Sequence, residues 1–123
     1  MTFLVVVDGD ADGWRIDRDL LTDAIRARWS GVEINSTHRS EVRSLVWEFE
    51  TEYGPREAYL HKDGICLYMD VWEEDAIWLA MIFRRLTPTR LDLVFCDEGY
   101  TFDLRLQAGT TEAELTDLVN AAG

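Results

Sequence analysis

Basic residues are scarce in this chain. Its 123 residues include 12 Lys+Arg against 24 Asp+Glu, which gives a formal net charge of -12 and a sequence pI near 4.4. So acidic a protein repels phosphate and cannot draw on the counterion release that dominates non-specific binding to DNA or RNA. Nucleic acid is therefore not an expected partner. Long apolar runs are missing as well, since no stretch approaches the roughly 18 residues needed to span a bilayer. The opening MTFLVVVDGD has neither a basic n-region nor a long h-region. No membrane association and a cytoplasmic location are the expectations. The two cysteines, Cys66 and Cys96, each lie within an apolar strand-like run. Two thiols make no disulfide framework and suit a reduced compartment.

The chain also lacks internal repeats, low-complexity segments and Pro/Gly/Ser linkers, and its two prolines, Pro55 and Pro88, fall where turns are expected. That predicts a single globular domain over 1–123. A Gly-rich phosphate loop, G-x-S-x-G, C-x-x-C and H-E-x-x-H are all absent. What is abundant is core-forming material: 47% of residues are hydrophobic and 11% aromatic, which argues against disorder despite the charge.

Residues 3 to 8 (FLVVVD) form a β-branched run suited to a strand inside a sheet. From Asp17 the spacing of Leu20, Leu21, Ala24 and Ile25 becomes helical, with Gly31 just past the end. Val32 to Asn35 then completes an expected crossover unit. Residues 45 to 53 alternate: Leu45, Trp47, Phe49, Thr51 and Tyr53 share one face, while Val46, Glu48, Glu50 and Glu52 share the other. Gly54-Pro55 reads as a turn, 56 to 62 as a strand, Asp63-Gly64 as a two-residue hairpin turn and 65 to 70 as the returning strand. Residues 71 to 86 contain a run that is apolar all round, but Glu73, Glu74 and Asp75 before it and Arg84 and Arg85 after it match a helix dipole and predict a buried helix. Strands at 90 to 96 and 101 to 106 follow, with Asp92 opposite Arg105. Thr111 with Glu114 is a capping box opening a last helix whose apolar side is Leu115, Leu118 and Val119. The expected fold is α+β in the order β-α-β-β-β-β-α-β-β-α, with a mixed or mainly antiparallel sheet and helices packed on one side.

Register turns this layout into a candidate surface. If Asp63-Gly64 is a two-residue turn, His61 lies opposite Cys66, Tyr59 opposite Tyr68 and Glu57 opposite Asp70. If Gly54-Pro55 is another, Glu52 faces Glu57, Glu50 faces Tyr59 and Glu48 faces His61. Glu48, Glu50, Glu52, Glu57, Tyr59, His61 and Tyr68 then form one acidic face with embedded aromatics. Glutamates ~7 Å apart on a strand repel one another when no Lys or Arg separates them. An acidic face of this kind steers a cationic protein into contact, and tyrosines supply rigid anchors after docking. The expected partner is a basic protein and the expected function non-catalytic binding; the plainer alternative is an ordinary solvated sheet surface. In size, acidity and α+β character the chain resembles bacterial immunity or inhibitor proteins that neutralise cationic toxins such as nucleases.

Two other chemistries have a foothold. Asp8-Gly-Asp10-Ala-Asp12-Gly13 resembles the opening of the EF-hand calcium loop, with Asp19 at the twelfth position. On that resemblance Asp8, Asp10, Asp12 and Asp19 would be Ca2+ ligands, although Arg15 and Asp19 depart from the family pattern and a strand precedes the loop. The plainer alternative is a polar βα connection with Asp17 capping the next helix. The other foothold is a small enzyme site, with Cys66, His61 and Glu48 in one cross-strand row as thiol, imidazole and carboxylate. His38 lies outside that row, in a polar loop.

Overall fold

The computed structural model describes residues 2–35, 43–61 and 63–122. Among the described residues seven strands and three helices run in the expected order: β1 (Thr2–Asp8), α1 (Arg18–Arg28), β2 (Glu33–Asn35), β3 (Arg43–Thr51), β4 (Gly54–His61), β5 (Cys66–Asp70), α2 (Glu73–Leu86), β6 (Asp92–Asp97), β7 (Asp103–Leu106) and α3 (Glu112–Ala122). The strands form one sheet in the order β2-β3-β4-β5-β1-β6-β7, and every neighbouring pair is antiparallel. The fold is α+β.

β1 lies in the middle of the sheet, between β5 and β6. This corrects the expected crossover of the first strand, helix and second strand as neighbours. β2 is instead the edge strand beside β3, with three strands between it and β1. The crossover in this sheet is the long connection between β5 and β6, residues 71–91, which carries α2 over β1.

The helices begin where local chemistry starts them. Asp17 caps α1, its Oδ1 accepting from the amides of Asp19 (3.0 Å) and Leu20 (3.1 Å). Acidic residues fill the first turn of α2 and Arg84 and Arg85 its last, as the dipole favours. Thr111 Oγ1 accepts from the Glu114 amide at 3.1 Å while Glu114 Oε1 accepts from Thr111 Oγ1 at 3.0 Å, so the capping box forms.

One side of the sheet carries the core. Phe3, Val5 and Val7 of β1 meet Trp47 and Phe49 of β3, Leu60 of β4, Met69 of β5 and Phe95 of β6, and helix residues Leu21, Ile25, Leu79, Phe83 and Leu115 close over them. Two residues of the expected helical patterns do not reach this side: Leu20 and Leu118 are exposed because only one stripe of α1 and α3 can face the sheet, and Trp72 at the N-cap of α2 is 51% exposed. Trp14 in the Asp-rich loop does turn inward, its ring edge-on to Phe83 at 6.4 Å.

A buried arginine ties the far end together. Arg84, on α2, donates from Nη1 to the carbonyls of Leu91 (2.8 Å) and Leu106 (3.2 Å) and from Nη2 to that of Pro88 (2.7 Å). The helix end thus supplies one donor group to the loop leading into β6 and to the end of β7.

Candidate partner-binding face

With all three helices on one side, the other face of the sheet is left to residues of the opposite parity. The register orders them in rows. Glu33 pairs with Glu48, Glu48 with Glu57, and Glu57 with Asp70, which places four carboxylates in line across β2, β3, β4 and β5. Directly opposed side chains sit about 5 Å apart, a separation at which like charges repel. Among the described residues no Lys or Arg forms an ion pair with Glu33, Glu48 or Glu57; the acidic members of the described pairs are Asp8, Asp63, Asp75 and Asp92. A groove of about 440 Å3 runs along this row, lined by Glu33, Glu48, Glu50, Glu57, Asp70 and Arg56 among others.

The adjacent row is apolar. Val46 pairs with Tyr59, Tyr59 with Tyr68, Tyr68 with Leu4, and Leu4 with Cys96. Tyr59 and Tyr68 are half-buried and stack at 4.6 Å with their rings 11° apart. Val46 and Cys96 of this row are buried, so the candidate surface is a line of carboxylates beside the half-buried side chains of Tyr59, Tyr68 and Leu4.

This register corrects the expected one between β3 and β4. Gly54-Pro55 is not the turn: both residues belong to β4, and the chain reverses at Glu52-Tyr53, with Thr51 paired to Gly54. Thr51 Oγ1 holds this turn by donating to the Gly54 carbonyl at 2.9 Å and accepting from the Tyr53 amide at 3.2 Å. Gly54 has φ +102, a conformation that favours glycine. The shift is four residues, an even number, so Glu48, Glu50, Glu57, Tyr59 and Tyr68 keep the predicted face while their partners change. Glu52 does not face Glu57; it is exposed in the turn.

His61 ends β4, half-buried, with its ring 6.5 Å from that of Tyr68 and its Nδ1 3.0 Å from Asp63 Oδ1. The thiol, imidazole and carboxylate row is not assembled, because Glu48 pairs with Glu57 rather than with His61. Burial, opposed in part by a hydrogen bond with Tyr68, pushes the Cys66 thiol up to about 12, far from a nucleophile's range. His38 lies outside the described residues.

The Asp-rich loop is likewise not gathered around a common point. Asp8 Oδ2 is 3.1 Å from Arg105 Nη2, Asp10 Oδ1 accepts from the Asp12 amide at 2.8 Å, and Asp19 is in the first turn of α1. Among the described residues no three His, Cys, Asp or Glu side chains are placed to hold a metal ion. The local chemistry is that of a turn: Gly9, Asp12 and Gly13 all have positive φ.

Sequence reasoning missed two contributors. Glu33 joins the carboxylate row only because β2 pairs with β3, a contact that alternation within either strand does not reveal. The second is an aromatic pair: Tyr53, grouped by alternation with Trp47 and Phe49, and Trp72 are exposed at 45% and 51% and contact each other with ring centroids 4.7 Å apart. The chain matches no protein-family model, no curated protein and no solved structure.

Proposed function

We propose that the helix-free face of the sheet is a docking surface for a basic protein, and that the chain acts by occupying that partner, as an inhibitor-type binding protein does. The observation that carries this reading is the carboxylate row Glu33–Glu48–Glu57 set beside the stacked, half-buried pair Tyr59 and Tyr68. Opposed glutamates weaken a sheet in isolation. Lysine or arginine side chains of a partner relieve that repulsion, while the neighbouring tyrosines supply the rigid contact area that interfaces favour. The net charge of -12 adds long-range steering toward a cation.

The test is co-purification from native host extract with three baits: the unaltered chain, Glu48→Lys/Glu57→Lys, and Glu112→Lys/Asp117→Lys. The two variants change the net charge equally, but the second places its lysines on the exposed side of α3. A basic protein held by the unaltered chain and the α3 variant, released by salt and lost from the sheet variant, is the expected result. Equal capture by all three baits, or capture of acidic proteins alone, overturns the proposal.

A further inference from the structure

The chain already contains one fully formed arginine receptor. Arg28 at the end of α1 lies with its Cζ 4.7 Å from the Trp78 ring centroid and 5.3 Å from that of Trp29, and its Nη2 is 3.1 Å from Asp75 Oδ1. Two indole rings supply the faces, and a carboxylate in the first turn of α2 anchors the planar fork. This combination suits guanidinium, which is flat, weakly hydrated and able to stack while it donates hydrogen bonds in its own plane.

The same components recur at the surface one turn earlier, without a cation. Trp72 at the N-cap of α2 and Tyr53 in the β3–β4 turn form a tilted aromatic pair, 41° between ring planes, with both rings open to solvent. Glu74 and Glu52 lie close enough to the Tyr53 hydroxyl to raise its pKa by their charge, Glu74 the more strongly. Among the described residues no cation sits over either ring; Arg56, the nearest described arginine along the strand, turns Nη1 back to the Pro55 carbonyl at 2.8 Å. A cavity of about 470 Å3 adjoins Trp72, lined also by Phe3, Arg56, Asp70, Val71 and Glu73. Asp70 and Arg56 border the groove of the carboxylate row too, so the cavity beside Trp72 adjoins that groove.

We propose that Trp72 and Tyr53 form a receptor for an arginine side chain of the partner, its guanidinium stacked on the indole and hydrogen-bonded to Glu74 and Glu52. The inference rests on the reading of the sheet face as a docking surface for a basic protein, and it adds the residue type that the partner presents at one end of the groove. Arginine is favoured over lysine because a compact, strongly hydrated ammonium gains less from an open indole face.

The probe is blocked hexa-arginine, with blocked hexa-lysine as its equal-charge comparison, titrated into the 15N-labelled protein. The Trp72 indole resonance is identified by its loss in Trp72→Phe. Hexa-arginine is expected to shift that indole together with the amides of Glu48 and Glu57, and to bind more tightly than hexa-lysine. Trp72→Leu should weaken hexa-arginine by roughly two- to fivefold, the loss of one exposed cation–π contact, and bring it level with hexa-lysine. Because Trp72 makes no side-chain capping bond and is half-exposed, the variant is expected to fold. If the Glu48 and Glu57 amides shift while the indole stays still, or if the two peptides bind equally to the unaltered protein, the arginine receptor is wrong and the docking face stands. If the indole shifts and those amides do not, the docking face is wrong and the receptor stands alone. If neither moves, both are wrong.

Discussion

Trp47 of β3 donates its indole N–H to Thr22 Oγ1 of α1 at 2.9 Å, and both side chains are buried. Thr22 Oγ1 in turn donates to the Arg18 carbonyl at 2.7 Å. The largest core side chain is thereby oriented by a hydroxyl inside a helix, which locks α1 to the sheet. Trp47→Ala is expected to cost about 3–5 kcal/mol, as large-to-small core changes do. Thr22→Val keeps the shape but strands the indole N–H, at about 1–3 kcal/mol. Denaturant midpoints of the two variants measure both, and Trp47→Ala must be the larger.

Arg84 offers a second stability test at the opposite end of the core. Its guanidinium serves the carbonyls of Pro88 and Leu91 ahead of β6 and of Leu106 at the end of β7, and Arg84→Met removes those bonds, leaving the Pro88 carbonyl only the Leu91 amide. A loss of about 2–3 kcal/mol is expected from the buried Leu91 and Leu106 carbonyls losing this donor. Arg84→Lys should recover only part of it, because one ammonium cannot reproduce the fork. Full recovery by lysine would show that charge alone, and not the spread of donors, holds the helix end to β6 and β7.

The buried thiol predicts alkaline sensitivity. Burial raises Cys66 from 9.0 to about 12, so between those values the unfolded chain has lost a proton that the folded one keeps. Stability must therefore fall as pH rises above about 9 and stop falling on this account near 12. Tyr68, also raised to about 12 chiefly by burial, adds to the fall above its ordinary value of 10.0. Urea unfolding of Cys66→Ala should show a shallower decline, most clearly between pH 9 and 10. At neutral pH the folded protein should react slowly with a bulky thiol reagent.

Calcium should have little effect. Asp10 is engaged with the Asp12 amide and Asp8 is paired with Arg105, so an ion has to displace interactions already made. A thermal melt in millimolar Ca2+ is expected to overlay one in millimolar Mg2+. A rise specific to Ca2+ that Asp10→Ala removes would contradict this expectation by the mass-action relation between binding and stability.

The features legible in the sequence were those set by neighbours along the chain. Alternation between Leu45 and Thr51 placed Trp47 and Phe49 inward and the glutamates outward, and the charges flanking residues 76 to 83 identified α2 correctly. The Asp63-Gly64 hairpin predicted the pairing of Tyr59 with Tyr68. The β3–β4 turn was misread because Gly54-Pro55 has the stronger turn composition, whereas the actual reversal is secured by Thr51, a side-chain hydrogen bond that leaves no pattern. Glu33 and the exposed Tyr53–Trp72 contact depend on which distant segments become neighbours. Periodicity within one segment carries no information about that.

The central position of β1 has a consequence for how the protein is made. Of the seven described strands β1 is synthesised before the others, yet both of its partners, β5 and β6, lie far downstream. Phe3, Val5 and Val7 must wait exposed while synthesis proceeds, whereas β3, β4 and β5 can pair locally as soon as they emerge. The meander is then the earliest structure available, and insertion of the waiting N-terminal strand between β5 and β6 closes the sheet in a late step. A nascent chain halted before Asp92 presents an apolar strand with an open edge, the form most exposed to aggregation.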